Sequence, residues 1–179
     1  YRIFIDGAAG TTGLQVNERL AAHSSVTPVT LDESQRKDVS ARREMMASSD
    51  ITILCLPDDA ARESAALAAE VGARVIDAST AHRTADGWDF GFVELFGGAR
   101  EAVASSPRIS NPGCYSTGFL ALARPLRDAG IIAADASLTV PAVSGYSGGG
   151  KGMLGRFEAG EMPPHGAYGL ALAHKHIPE

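Results

Sequence analysis

The chain has 179 residues, 45% hydrophobic, 21% charged and 6% aromatic, which is enough apolar material for a folded core and excludes a disordered or fibrous chain. Its 21 acidic and 16 basic side chains leave a net charge of −5, the wrong sign for gripping nucleic-acid phosphates through bulk charge. No apolar run approaches the roughly 18 residues of a membrane span, and the opening residues lack the order of a signal peptide. Two cysteines, Cys55 and Cys114, are too few for a disulfide framework, so a soluble, cytoplasmic protein is expected, with no nucleic acid or membrane as partner. The chain opens on Tyr1 and stops at Pro178 and Glu179, and a piece of a longer protein is expected.

In chain order, residues 1–5 form an apolar run closed by Asp6 and Gly7, followed by Leu14, Val16 and Leu20 at the spacing of one helix face. Residues 26–31 predict a second strand, with the polar stretch 32–37 behind it. Residues 51–56 are almost wholly apolar, as in a strand covered on both faces. Residues 60–71 form an alanine-rich helix stopped by Gly72. With a further strand at 74–76 ending on Asp77, strands and helices alternate through short connections, which predicts a parallel sheet. The texture then changes. Residues 84–98 mix turn residues with Trp88, Phe90, Phe92 and Phe96, and Arg108 to Ser110 lead into Asn111, Pro112, Gly113 and Cys114. Residues 115–127 have helical spacing at Phe119, Leu122 and Leu126. Residues 137–143 and 170–177 alternate like strands and are expected to begin a second, antiparallel sheet, with a glycine-rich loop at 145–152 between them.

The segment Gly7-Ala8-Ala9-Gly10-Thr11-Thr12-Gly13 joins the first strand to the first helix. Its backbone N–H groups and positive helix end suit the pyrophosphate of a dinucleotide, and strand, helix and downstream alternation supply the required context. Gly7, Ala9, Gly10, Thr11, Thr12 and Gly13 are therefore expected to bind a cofactor. Asp32 near the end of the second strand suits the ribose hydroxyl of NAD, whereas Arg36 and Lys37 suit a 2′-phosphate; the reading leans to NADP, with Arg36 as its contact. Gly145, Gly150 and Lys151 fall at positions of a phosphate-binding P-loop, but Gly152 stands where a Mg²⁺-holding hydroxyl belongs, so that reading fails.

Cys114, placed at a helix N-terminus, is expected to be a nucleophile, because the local dipole and orphan N–H groups stabilise a thiolate. Cys55, inside an apolar run, is expected to be a small buried hydrophobe. His174 and His176 lie two apart, on one face if the segment is a strand, and either suits proton transfer to the thiol. No Cys/His cluster with zinc spacing accompanies them, so no metal is expected. His82 sits among connecting residues.

The segments FIDGAAGTTG, IDASTAHR, SNPGCYSTG, SGYSGGGK and HKHIPE, in this order along nearly the whole chain, resemble the N-acetyl-gamma-glutamyl-phosphate reductase family in its shorter type. The resemblance implies an NADP-binding Rossmann domain, here residues 1–112, followed by the first part of an α+β catalytic and dimerisation domain with a mostly antiparallel sheet, residues 113–179. It implies Cys114 as the nucleophile, His176 as the favoured acid/base with His174 as the alternative, and a homo-oligomer, dimer or tetramer. The implied reaction is NADPH-dependent reduction of an acyl phosphate to N-acetyl-glutamate 5-semialdehyde through a cysteine thioester, in arginine biosynthesis. Arg83 and Lys151 are candidates for the carboxylate or phosphate of the substrate, and Asn111 and Ser144 for orienting hydrogen bonds. The competing readings are an aspartate-semialdehyde dehydrogenase, which shares the architecture and the thioester, and a nucleotide-binding module in which Cys114 only packs. The chain departs from the family chiefly by stopping at the HKHIPE segment.

Overall fold

A computed structural model describes all of residues 1–179, which divide into two units, Tyr1–Pro112 and Gly113–Glu179. In the first unit the elements run β1 (Arg2–Asp6), α1 (Thr11–Ala21), β2 (Thr27–Val29), α2 (Val39–Ala47), β3 (Ile51–Leu54), α3 (Asp58–Glu70), β4 (Val75–Asp77), β5 (Asp89–Phe90), α4 (Ala99–Ser105) and β6 (Arg108–Ser110). The six strands form one sheet in the order β2-β1-β3-β4-β6-β5, and every pairing is parallel. The chain leaves β1 for β2 on one side and returns to β3 on the other. That reversal opens a crevice at the carboxyl ends of β1 and β3, where open α/β sheets bind ligands.

The strands form where apolar residues can be covered. Ile3, Phe4 and Ile5 are all buried, and Phe4 points into a cluster with Met46 of α2, Leu67 and Ala68 of α3, Leu54 and Val75. Ile3 and Ile5 alternate to the opposite face. In β3 only Thr52 and Leu54 are fully buried, whereas Ile51 and Ile53 are partly exposed, so the expected two-sided coverage holds on one face. Helix α2 was not visible in the apolar pattern because Met46 is its single buried residue. Its start is set instead by the side chain of Asp38, which accepts from the Ser40 and Ala41 amides at 2.8 and 3.2 Å. The Arg74 guanidinium donates to the Val103, Ala104 and Ser106 carbonyls at 2.8, 3.0 and 2.9 Å and closes the end of α4.

At the end of β1 the buried carboxylate of Asp6 accepts from Arg42 Nε and Nη2 at 3.2 and 2.8 Å and from Ser64 Oγ at 2.6 Å. A charge at this depth is tolerated because its donors come from two different helices, α2 and α3, and both are thereby tied to β1.

The second unit holds α5 (Cys114–Asp128), a 3₁₀ turn at Tyr146–Gly149 and α6 (Gly150–Glu158). Gly130, with φ of 71°, follows the end of α5. The structure differs from expectation in three places. Residues 137–143 and 170–177 are irregular or turned and pair with no strand, because every strand of the sheet lies in the first unit. Their alternating apolar residues stay exposed, Leu138, Val140, Leu170 and Leu172 among them, with Val143 fully so. The glycine-rich segment turns helical at Gly150, helped by Met153, Leu154 and Phe157 at helical spacing and by the stacking of Phe157 on Tyr146 at 4.8 Å. No helix is long and apolar enough to cross a membrane.

Thr52 Oγ1 is buried in the core without a hydrogen-bond partner. Thr52→Val removes that cost and keeps the shape, so it is expected to stabilise the fold by about 1 kcal/mol and raise Tm by roughly 2–4 °C in thermal denaturation.

Candidate functional site

The β1–α1 turn is shaped by backbone crowding. Gly7 has φ of 89°, and a Cβ there would stand 2.4 Å from the Cys55 carbonyl oxygen; a Cβ on Gly13 would stand 2.4 Å from the Gly7 carbonyl oxygen. Both positions therefore exclude any side chain. Gly10 is less constrained, its Cβ position lying 3.5 Å from Gly7 O, and it closes the turn by donating its N–H to Gly7 O at 3.1 Å. Helix α1 starts with no capping side chain and no acidic residue in its first turn, leaving its positive end to an external anion. Thr11 Oγ1 is buried and unpartnered at the same place. Glycines that bring backbone amides close, an uncapped helix start and an orphaned hydroxyl together fit a dinucleotide pyrophosphate at Gly7, Ala9, Gly10, Thr11, Thr12 and Gly13.

Asp32 shapes the loop after β2 by accepting the Gln35 and Arg36 amides on its carbonyl oxygen. Arg36 pairs with Glu33 at 3.1 Å, both side chains largely in solvent. Exposed pairs of this kind are worth about 0–1 kcal/mol, so the guanidinium can exchange Glu33 for a phosphate at little cost.

Past β4, residues 79–82 form a braced loop. Asp77 is fully buried and accepts from Ser79 N, Ser79 Oγ and His82 Nδ1 at 2.9, 2.7 and 2.6 Å. The His82 ring stacks on Trp88 at 4.0 Å. Asp58, at the start of α3, accepts from both the amide and the hydroxyl of Thr80, and Arg62 donates to the Ala81 carbonyl at 3.1 Å. Arg83 follows directly, with Nη2 3.5 Å from the Ala78 carbonyl oxygen. His82, read from the sequence as a connecting residue, is thus a partly buried member of a polar network. Asn111, just past β6, donates its main-chain N–H to the Asp77 carbonyl at 2.8 Å, and its side-chain amide turns to the Pro112 carbonyl at 3.2 Å.

In the second unit Cys114 is exposed and is the first residue of α5, after the N-cap Gly113. The next residue, Tyr115, packs against both imidazoles, His174 at 5.3 Å and His176 at 5.9 Å between ring centroids. The two rings meet each other edge-on at 4.6 Å. They are gathered by a turn and not by a strand: Ile177 N donates to His174 O at 2.9 Å and His176 N to His174 Nδ1 at 3.2 Å. The fold thus brings the cysteine segment and the late histidines together by a route different from the one expected. Sequence reasoning missed Glu179, whose Oε2 accepts from Gly113 N at 2.7 Å and from Ser116 Oγ at 2.6 Å. An acid three residues after a candidate histidine was visible, but its partners lie more than sixty positions away. Ser144 donates within its own turn, to Gly145 O at 3.3 Å, and Lys151 lies exposed in the first turn of α6. No group of three or more His, Cys, Asp or Glu side chains is arranged to hold a metal ion.

Burial, then the Asp6 and Asp77 charges, push the Cys55 thiol up to about 11.

Two family models match the chain, and they overlap over residues 114–144. Residues 2–144 match a family described as semialdehyde dehydrogenase, NAD binding domain, and residues 114–179 match one described as semialdehyde dehydrogenase, dimerisation domain. The chain is 52% identical over 180 residues to a Pseudomonas putida protein named N-acetyl-gamma-glutamyl-phosphate reductase 2, covering 99% of this chain and 58% of the relative. It is 49% identical over 180 residues to a Burkholderia ambifaria N-acetyl-gamma-glutamyl-phosphate reductase, covering 99% of this chain and 57% of that one. The chain thus spans less than two thirds of the length of these relatives. Among solved structures, aspartate semialdehyde dehydrogenase II from Vibrio cholerae, complexed with ASA, superposes with a TM-score of 0.63 at 17% identity, covering 93% of this chain and 55% of that one. An aspartate semialdehyde dehydrogenase with NADP from Candida albicans gives 0.53 at 15%, covering 72% and 47%. These two likenesses show the fold.

Because the folded Cys55 holds its proton up to about pH 11 while the unfolded thiol releases it near 9, this residue favours the folded state below pH 9. That contribution is lost as pH rises from about 9 to about 11. Urea midpoints across this range are expected to fall more steeply for the wild type than for Cys55→Ala.

Proposed function

Since this chain belongs to the semialdehyde dehydrogenase family, we propose that it carries the cofactor-binding and nucleophile-bearing part of an NADPH-dependent N-acetyl-gamma-glutamyl-phosphate reductase of arginine biosynthesis. The observation that carries the reading is an exposed cysteine at the first position of a helix, with two imidazoles packed against the residue after it. The 48–52% identity to relatives of that name favours this substrate over aspartyl phosphate.

Gly7, Ala9, Gly10, Thr11, Thr12 and Gly13 hold the cofactor pyrophosphate, and Arg36 meets the 2′-phosphate. NADPH, when bound, supplies the hydride. His176, with His174 as the alternative, takes the Cys114 proton. The thiolate attacks the acyl carbon; a C–S bond forms, the bond from carbon to the phosphate oxygen breaks, phosphate leaves, and a thioester remains on Cys114. The N–H groups of the first turn of α5 hold the oxyanion, since no side chain from Gly113 caps them. After reduction, collapse of the tetrahedral carbon expels Cys114 as a thiolate and releases N-acetyl-glutamate 5-semialdehyde, and the imidazole returns the proton. Arg83 and Lys151 balance the negative charges of the substrate, and Asn111 and Ser144 orient it. The protein acts as a homo-oligomer, a reading supported by the dimerisation-domain match over residues 114–179.

Cys114→Ser in the full protein is expected to lower turnover by roughly a thousandfold or more and to abolish trapping of a thioester, with NADPH affinity unchanged. Normal turnover in that variant, or faster reduction of aspartyl phosphate than of N-acetyl-gamma-glutamyl phosphate by the wild type, would overturn the proposal.

A further inference from the structure

The loop after β4 is more firmly held than a surface connection requires. Each of its residues 79–82 is tied through a side chain. Ser79 and His82 bond to Asp77, Thr80 bonds to Asp58, and Ala81 accepts from Arg62 while donating its amide to Ser79 Oγ at 3.1 Å. The centre of this arrangement is a carboxylate with no exposed surface, and burying that charge costs several kcal/mol before its partners offset it. Apolar side chains would hold a loop at lower cost, so the use of a charge points to a demand for orientation as well as stability.

His82 is fixed in two directions. Its edge is held by Asp77 Oδ2 at 2.6 Å, with the proton on Nδ1, and its face by the Trp88 indole at 4.0 Å and 13° between planes. Trp88 in turn packs against the main hydrophobic cluster, so the ring is referenced to the core. Arg83 is the next residue along the chain. The main chain of Asp77 also holds Asn111 by its carbonyl.

We infer that His82, through its bond to Asp77, is a positioning residue that sets the Arg83 guanidinium for the anionic end of an acyl-phosphate substrate. This rests on the reading of Arg83 given above. Misplacing a charged clamp by about an ångström weakens binding strongly while the thiol chemistry at Cys114 is left intact.

The variants separate the two contacts of the ring. His82→Phe keeps the stack on Trp88 and loses the hydrogen bond; His82→Asn places an amide donor near the position of Nδ1 and loses the stack. In the full protein, His82→Phe is expected to raise KM for the acyl phosphate about tenfold, with kcat and KM for NADPH changed less than about threefold, and His82→Asn to restore most of the loss. Arg83→Ala should raise the same KM at least as much. If Arg83→Ala raises it but His82→Phe behaves as wild type, or if His82→Phe raises both KM values equally, the positioning role is overturned and the Arg83 reading stands. If Arg83→Ala leaves that KM unchanged, the Arg83 reading itself is overturned. Should His82→Phe fail to fold, Ser79→Ala removes a donor from the same carboxylate without touching the stack, and the same selective rise in KM is expected.

Discussion

The carboxylate of Asp6 is the constraint on which the rest of the first unit depends. It stands one residue before the turn in which Gly7 must adopt a positive φ, and it is buried with Arg42 and Ser64 as its donors. Those donors lie on α2 and α3, so one side chain locks two helices to the first strand. Its carbonyl oxygen accepts the Cys55 amide at 2.8 Å and holds β3 beside it. Cys55 in turn presents the carbonyl that denies Gly7 a side chain. The glycine turn is thus shaped by contacts on both sides of the crevice, and the amides of that turn inherit their direction from an ion pair in the interior.

A second buried acid, Asp77, repeats the device two strands away, with hydroxyl and imidazole donors in place of a guanidinium. Between the two carboxylates lies Cys55, and their charges add to burial in keeping its thiol protonated. The chain therefore contains one thiol that stays neutral at physiological pH and one that faces solvent at a helix start.

Much of this was legible because the signals were local. The strand, glycine turn and helix at residues 1–21 follow from neighbouring residues, and so does the break between α3 and β4 at Gly72. The three glycines of the turn were readable as a group, but not the different reasons behind them: Gly7 and Gly13 are forced by atoms within 3 Å, and Gly10 is not. The alternation at 137–143 and 170–177 correctly marks which residues would share a face, yet a strand exists only where another lies alongside to take its hydrogen bonds. Helix α2 escaped notice because a capping side chain, and not an apolar stripe, announces it. The bonds from Asp6 to Arg42, from Asp77 to His82 and from Glu179 to Gly113 were illegible for another reason. A buried acid says that it needs donors but not which ones, and two of these three pairs are separated by dozens of residues.

The distribution of burial carries a consequence for how the chain lives in a cell. All the buried hydrophobic residues fall between Ile3 and Ile109, while the second unit leaves Leu122, Ile131, Val143 and Leu172 open to water. Synthesis proceeds from the amino terminus, so the parallel sheet can close while the later segment is still emerging from the ribosome. The later segment has little internal burial of its own, so its apolar side chains face water until another surface covers them.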